Sequence, residues 1–409
     1  MNQTDTTEIE SYRYELPESS IAKFPLPERD RSNLLLYDRG LIRKHTFAEL
    51  PELIPAGTWM VFNTTRVIRA RLRFKKPTGA GIEIFCLEPV EPADYERAFQ
   101  AAGSSTWKCL AGNIKKWKEG PIHLILKDLT VTARLLGGSG GTFKVRFSWE
   151  PSQITFGEIL DRAGQTPIPP YLNRDAEEID RERYQTVYSR EQGSVAAPTA
   201  GLHFTMALMN RLNENGIRSG EITLHVGTGT FVPVKEKDAR NHTMHNEMVV
   251  IGVPFIQQWA AEPEQLLAVG TTTTRSLESL YWLGVKLLTG GMKDPFSAGL
   301  GQWEYENLPD QYSLAESLQA LLKFCEEHQF EELVFSTRLM IVPGYRFRTI
   351  KGLITNFHLP GSTLLLLIAA FLGEEWRKVY DYALVHQFRF LSYGDSSLLL
   401  PRGWSGTHQ

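Results

Sequence analysis

Cysteine is scarce in this chain. Cys86, Cys109 and Cys325 are far apart and odd in number, so they make neither a disulfide framework nor a paired Cys-x-x-Cys metal site, and they fit a reducing cytoplasm. Long apolar runs are missing too. The longest, Leu364 to Leu372, is nine residues, where roughly 20 are needed to cross a bilayer, so it reads as a buried helix and no membrane association is expected. Met1 to Glu10 is polar and acidic, unlike a signal peptide. No G-x-x-x-x-G-K-[ST] occurs, which excludes a P-loop, and no G-x-S-x-G, which argues against an α/β-hydrolase nucleophile. Gly227-Thr228-Gly229-Thr230 follows a strand-like run but lacks the third glycine of a dinucleotide fingerprint, and Pro233 would interrupt the helix that should follow.

Net charge is small as well, −3 over 409 residues, which taken whole does not suggest a nucleic-acid binder. The distribution does. Arg66 to Glu150 holds 15 Lys+Arg and 8 Asp+Glu, a net +7, and the remainder carries −10. A basic module within an acidic protein points to a polyanionic partner. In it Arg69, Arg71, Arg73 and Lys75 alternate with Ala70, Leu72 and Phe74, giving a strand with one basic and one apolar face. Lys115 and Lys116, with Trp107 and Trp117 nearby, suit phosphate contact plus base stacking. Short β-like runs (82–87, 123–126, 131–135, 142–147) separated by Gly-rich turns suggest a small barrel or sandwich.

The rest alternates strands and helices. The expected fold is an α/β main domain, residues 1–65 and 151–409, carrying an inserted small all-β, barrel-like domain over 66–150. Ser313-Leu314-Ala315-Glu316 is a capping box that opens a helix. Leu266–Val269 reads as a strand running through the turn Gly270-Thr271-Thr272-Thr273-Thr274 into a helix near Arg275. Leu353–Thr355 is another strand, and Ser362 caps the helix after it. A strand, a small-residue turn and a helix start form a common ligand-binding arrangement.

Two stretches carry the chemistry. Val195-Ala196-Ala197-Pro198-Thr199-Ala200-Gly201-Leu202-His203-Phe204-Thr205 and Thr223-Leu224-His225-Val226-Gly227-Thr228-Gly229-Thr230 each set one histidine among small and hydroxyl-bearing residues. Such a backbone folds closely around a small polar ligand. His242-Thr243-Met244-His245-Asn246-Glu247 adds two histidines and a carboxylate. Its spacing is not that of a zincin, so acid–base work or hydrogen bonding to ribose is favoured over metal binding.

Through these motifs the chain resembles the S-adenosylmethionine:tRNA ribosyltransferase-isomerases of queuosine biosynthesis. Further matches are Tyr14-Glu15-Leu16-Pro17, Val61-Phe62-Asn63, Tyr184-Gln185-Thr186-Val187-Tyr188, Arg275-Ser276-Leu277-Glu278-Ser279, Pro343-Gly344-Tyr345, Ile354 to Pro360 and Phe390 to Asp395. The resemblance implies that the ribosyl part of S-adenosylmethionine is moved to 7-aminomethyl-7-deazaguanine at the tRNA wobble position and isomerised, giving epoxyqueuosine, adenine and methionine. It implies S-adenosylmethionine as co-substrate, tRNA as partner, no prosthetic group and no metal. No obligate protein partner is readable. Such chemistry needs a base for the 5′ carbon next to the sulfonium and an acid for departing adenine. His203, His225, His245 and Glu247 are the titratable groups expected to supply them. Thr199, Gly227, Thr228, Thr271 and Thr272 are expected to bind S-adenosylmethionine, and Arg66, Arg69, Arg71, Arg73, Lys75, Lys115 and Lys116 to bind tRNA. The chain departs from the family pattern at Thr64, where Asp is usual, at Arg338, where an acid is usual, and at Gly361, where Lys is common. Extra sequence occurs around 91–106 and 289–312. These departures leave open a paralogue with another acceptor base, or a non-catalytic RNA-binding protein on the same fold.

Overall fold

Apolar runs of period two and fully apolar runs pair here into different bodies, a barrel and a buried sheet. The computed structural model of the protein describes residues 7–76, 79–117, 120–139, 141–226, 234, 236–292 and 298–402. Strands β1 (Asn33–Asp38) and β2 (Leu41–Thr46) form a hairpin, β3 (Trp59–Asn63) is buried throughout, and β4 (Thr65–Val67) follows after Thr64. Next come β5 (Arg71–Lys75), β6 (Gly81–Glu91), β7 (Ser104–Gly112), β8 (Ile122–Leu126), β9 (Leu129–Ser139) and β10 (Thr142–Glu150). These six close into an antiparallel barrel in the order β10-β7-β6-β5-β8-β9. Closure removes exposed strand edges. The apolar face of β5, Leu72 and Phe74, and Ala70 just before it are fully buried inside with Ile84, Trp107, Val131 and Phe147, so the alternation read from sequence is the inside–outside alternation of a barrel wall.

The remaining strands are β11 (Glu191–Ser194), β12 (Arg218–His225), β13 (Glu247–Gly252), β14 (Leu266–Val269), β15 (Gly299–Leu300), β16 (Glu332–Thr337), β17 (Ile350–Asn356) and β18 (Ser396–Leu400). Ten strands make the main sheet, in the order β15-β16-β13-β12-β3-β14-β17-β18-β1-β2. Its centre, β12-β3-β14-β17, is parallel. Strands buried on both faces read as continuous apolar runs, and Leu266–Val269 and Ser396–Leu400 are buried at every position. Helices cover the sheet, among them Thr271–Leu288 and Leu314–Glu327, the latter opened by the expected Ser313–Glu316 capping box. Strands β4 and β11 pair separately at the junction with the barrel. The fold is thus an α/β body carrying a small all-β barrel.

One boundary differs from the sequence reading. The threonines after Gly270 are the first turn of the helix, not a turn before it. Thr273 and Thr274 donate their hydroxyls to the carbonyls of Val269 and Gly270, at 2.7 and 3.2 Å. This back-bonding satisfies β-branched residues inside a helix start, where propensity alone disfavours them. Gly270 itself turns the chain with φ +94°, a conformation that favours glycine.

Candidate active site

The four central parallel strands end at one edge of the sheet, and open α/β sheets bind ligands beyond the carboxyl ends of their strands. There the chain leaves β12 at Val226, β14 at Gly270 and β17 at Phe357. The segment after β11 packs against the first of these: Val195 donates its N–H to the Val226 carbonyl at 3.1 Å, and Ser194 Oγ accepts the Val226 N–H at 3.0 Å. The two His-bearing stretches of the sequence are therefore neighbours. Together the ends enclose a cleft of about 60 Å³, walled by Ala197–Ala200, Val226, Gly270–Thr272, Thr355–Leu359, Tyr171 and Ser392.

Two helices point their N-termini at this cleft. Thr271–Leu288 starts on Gly270 with no side-chain cap. Thr363–Leu372 starts on Ser362, whose Oγ accepts the Leu365 N–H. First-turn N–H groups lack intrahelical partners and favour negatively polarised ligand atoms. Lysine, arginine, aspartate and glutamate are absent from the described wall. Such a lining suits an uncharged heteroaromatic and sugar moiety. A nucleoside triphosphate would need cations.

Of the residues expected to bind the co-substrate, Thr199, Thr271 and Thr272 line the cleft together. Gly227 and Thr228 lie outside the described residues; Val226, just before them, is on the wall. His203 is behind the wall, 5% exposed. Asn356 Nδ2 donates to its Nε2 at 3.2 Å, so Nδ1 carries the proton and donates to Ser32 Oγ at 2.8 Å. Burial pushes the imidazole down to about 4, so it is neutral at pH 7. Asn356 also lines the cleft, and its Oδ1 is buried with no hydrogen-bond partner among the described residues.

His225 ends β12 and lines a separate groove. Its Nδ1 is 3.0 Å from Thr65 Oγ1, and its ring lies 5.0 Å from that of Tyr95, which the extra 91–106 sequence contributes. Desolvation lowers it to about 4. Thr64 opens onto the same groove and shares a 3.0 Å hydroxyl contact with Thr223. Glu247 and His245 line a smaller cavity that adjoins the main cleft at Leu364. His245 is exposed, while Glu247 is buried in an ion pair with Arg275. The four titratable groups are thus in three places, not one.

His358 is a cleft imidazole not singled out from sequence. It lies 3.0 Å by Nε2 from Thr355 Oγ1, and burial lowers it to about 3. The signal available was a strand, a short turn, then a helix start capped by Ser362.

The expected tRNA-contacting residues divide. On the outer face of β5, Arg71 and Arg73 both pair with Glu83, at 2.7 and 3.1 Å, and Arg73 also pairs with Asp175 at 2.5 Å. Arg69 donates to the Asp161 carbonyl. Arg66, Lys75, Lys115 and Lys116 are exposed and have no ion pair among the described residues. Arg66 and Arg69 also wall a cavity of about 160 Å³ at the barrel junction. Gly361 has φ +64°, and a Cβ there would come within 3.1 Å of Ile9, which accounts for glycine. Arg338 is exposed, and nothing in the structure explains that substitution. Among the described residues no group of three or more His, Cys, Asp or Glu could hold a metal ion, and no helix is long and apolar enough to cross a membrane.

Comparison with known proteins adds a family. Residues 9–399 match the model of the queuosine biosynthesis protein family. S-adenosylmethionine:tRNA ribosyltransferase-isomerase of Aromatoleum aromaticum is 38% identical, covering 96% of this chain and 98% of that one. The protein of the same name from Trichlorobacter lovleyi is 36% identical, covering 96% and 99%. The crystal structure of S-adenosylmethionine tRNA ribosyltransferase from Thermotoga maritima is 27% identical, covers 95% of this chain and 99% of that chain, and superposes with a TM-score of 0.44.

Proposed function

Because this chain belongs to the queuosine biosynthesis protein family, we propose that it is a transferase-isomerase that moves the ribosyl moiety of S-adenosylmethionine onto 7-aminomethyl-7-deazaguanine at the wobble position of tRNA, in the cytoplasm, giving epoxyqueuosine, adenine and methionine. The observation that carries the reading is the convergence of three family-matching segments, Ala197–Ala200, Gly270–Thr272 and Thr355–Leu359, on one cleft without charged walls. Thr199, Thr271 and Thr272 bind the nucleoside of S-adenosylmethionine. The sulfonium acidifies the 5′ carbon and a base removes that proton. The sugar ring opens to an alkene and an aldehyde as adenine leaves protonated. The aminomethyl nitrogen of the tRNA base adds to the alkene and loses its proton. The carbanion so formed beside the sulfonium closes on the aldehyde, and the alkoxide displaces methionine to give the epoxycyclopentane.

His358 stands in the cleft as a neutral imidazole and is the base favoured by position. His203 acts through Asn356 and is a positioning residue. His245 and Glu247 stand where the amino-acid end would reach, and His225 faces the barrel side, where the acceptor would enter. We take the tRNA surface to be the barrel segment, 66–150, with Arg66, Lys75, Lys115 and Lys116 as its free cations. The test is product release. Mixed with S-adenosylmethionine and tRNA bearing the deazaguanine, the enzyme should release adenine and methionine in equal amounts, and none without tRNA. Release without tRNA, or release of S-adenosylhomocysteine instead, contradicts the proposal.

A further inference from the structure

Arg275 is 4% exposed, yet only its Nη2 is engaged, by Glu247; Nε and Nη1 have no hydrogen-bond partner among the described residues. Unsatisfied buried guanidinium donors are costly. Arg275 lines a small cavity of about 20 Å³ whose wall also holds Glu247, His245, Thr363 and Leu364. Leu364 is shared with the main cleft, and Arg275 follows Thr272 by three positions on one helix, hence on the same face. Thr363 begins the second helix whose N-terminus faces this region. An in-plane guanidinium fork beside a helix N-terminus matches a carboxylate.

We infer that Arg275 is the specificity residue that binds the carboxylate of the amino-acid end of S-adenosylmethionine, with Glu247 fixing the guanidinium and facing the α-ammonium. The inference rests on the function proposed above. A tRNA phosphate is the poorer fit, since Glu247 on the same wall repels a polyanion and leaves the cavity close to neutral.

The experiment compares S-adenosylmethionine with decarboxylated S-adenosylmethionine, which keeps the sulfonium and amine but lacks the carboxylate. With full-length enzyme and tRNA, kcat/KM should favour the carboxylate-bearing substrate by about 10- to 100-fold, the scale of a charge-assisted bidentate contact. Arg275→Met combined with Glu247→Gln, which leaves no buried charge unpaired, should bring the preference near unity without changing KM for tRNA. Arg275→Lys keeps the charge but not the fork, and should raise KM for S-adenosylmethionine with kcat nearly intact. Equal use of both substrates by the wild type overturns the inference, and needs no variant to fold. So does a double variant that keeps the wild-type preference, or one whose defect lies in tRNA KM. A wild type inactive with S-adenosylmethionine sinks the functional reading, and this inference with it.

Discussion

At the scale of single residues, three neutral imidazoles stand in or near the cleft and the separate groove, two of them buried and His225 half-buried. His203, His225 and His358 are pushed to about 4, 4 and 3 by desolvation, below the usual 6.5 or so of an unfolded chain. Each therefore binds fewer protons folded than unfolded between those values. The stability they contribute is complete above about pH 6.5 and is lost as pH falls toward 4. For His203 alone that loss is at most on the order of 3 kcal/mol. Melting temperature should be flat from pH 8 to 7 and drop steeply below 6, and a combined His203→Asn, His225→Asn variant should drop less steeply. An equal slope would mean these groups titrate normally in the folded protein.

His203 also shows why a residue's role is hard to read from its neighbours in sequence. Its turn-rich setting pointed to chemistry, and the turn does line the cleft, but the ring faces inward to Ser32 and Asn356, residues 171 and 153 positions away. His203→Asn should cost about 1–3 kcal/mol of stability by stranding buried polar atoms. It should also raise KM for S-adenosylmethionine, as should Asn356→Ala. In the double variant the two KM effects should be far from additive. Additive effects, or activity falling only in step with stability, would make His203 a packing residue alone. The Arg275–Glu247 pair was unreadable for the same reason: the partners are 28 positions apart, and nothing local links them.

At the scale of elements, alternation was legible and charge pairing was not. The period-two pattern of 69–75 identified a strand with one apolar face because a strand's side chains alternate whatever its partners. Glu83, which pairs with both Arg71 and Arg73, is on the next strand, and its register opposite Arg73 is a product of folding. Binding of tRNA should follow the unpaired cations. Lys75→Ala, Lys115→Ala and Lys116→Ala should each flatten the dependence of log affinity on log salt by roughly 0.7–0.9. Arg73→Ala, already paired twice, should change the slope by much less. The reverse ranking, measured by salt titration, would return the arginines to the interface. The four-threonine run is the complementary miss: it read as a small-residue turn, and hydroxyl-to-carbonyl bonds make it the first turn of the helix.

At the scale of the whole molecule, the α/β body holds a small uncharged cleft at the ends of its parallel strands, and the barrel holds the excess positive charge. That division matches a reaction joining a small nucleoside to a large polyanion. The two-part architecture was visible in charge asymmetry and in the change from α/β alternation to short strands. The cleft was visible only as two separate strand-then-helix signatures and the Val195–Thr205 stretch, since their convergence depends on strand order.

The central claim is that the ribosyl carbons, and not the methyl group, of S-adenosylmethionine end up on the tRNA base. The enzyme should be given tRNA carrying 7-aminomethyl-7-deazaguanine and S-adenosylmethionine labelled with carbon-13 either throughout the ribose or at the methyl group, and the tRNA digested for nucleoside mass analysis. The account predicts that all the ribose label appears in one modified nucleoside and that the methyl label leaves with methionine. Methyl label in the nucleoside, or an unmodified base with either substrate, would contradict it.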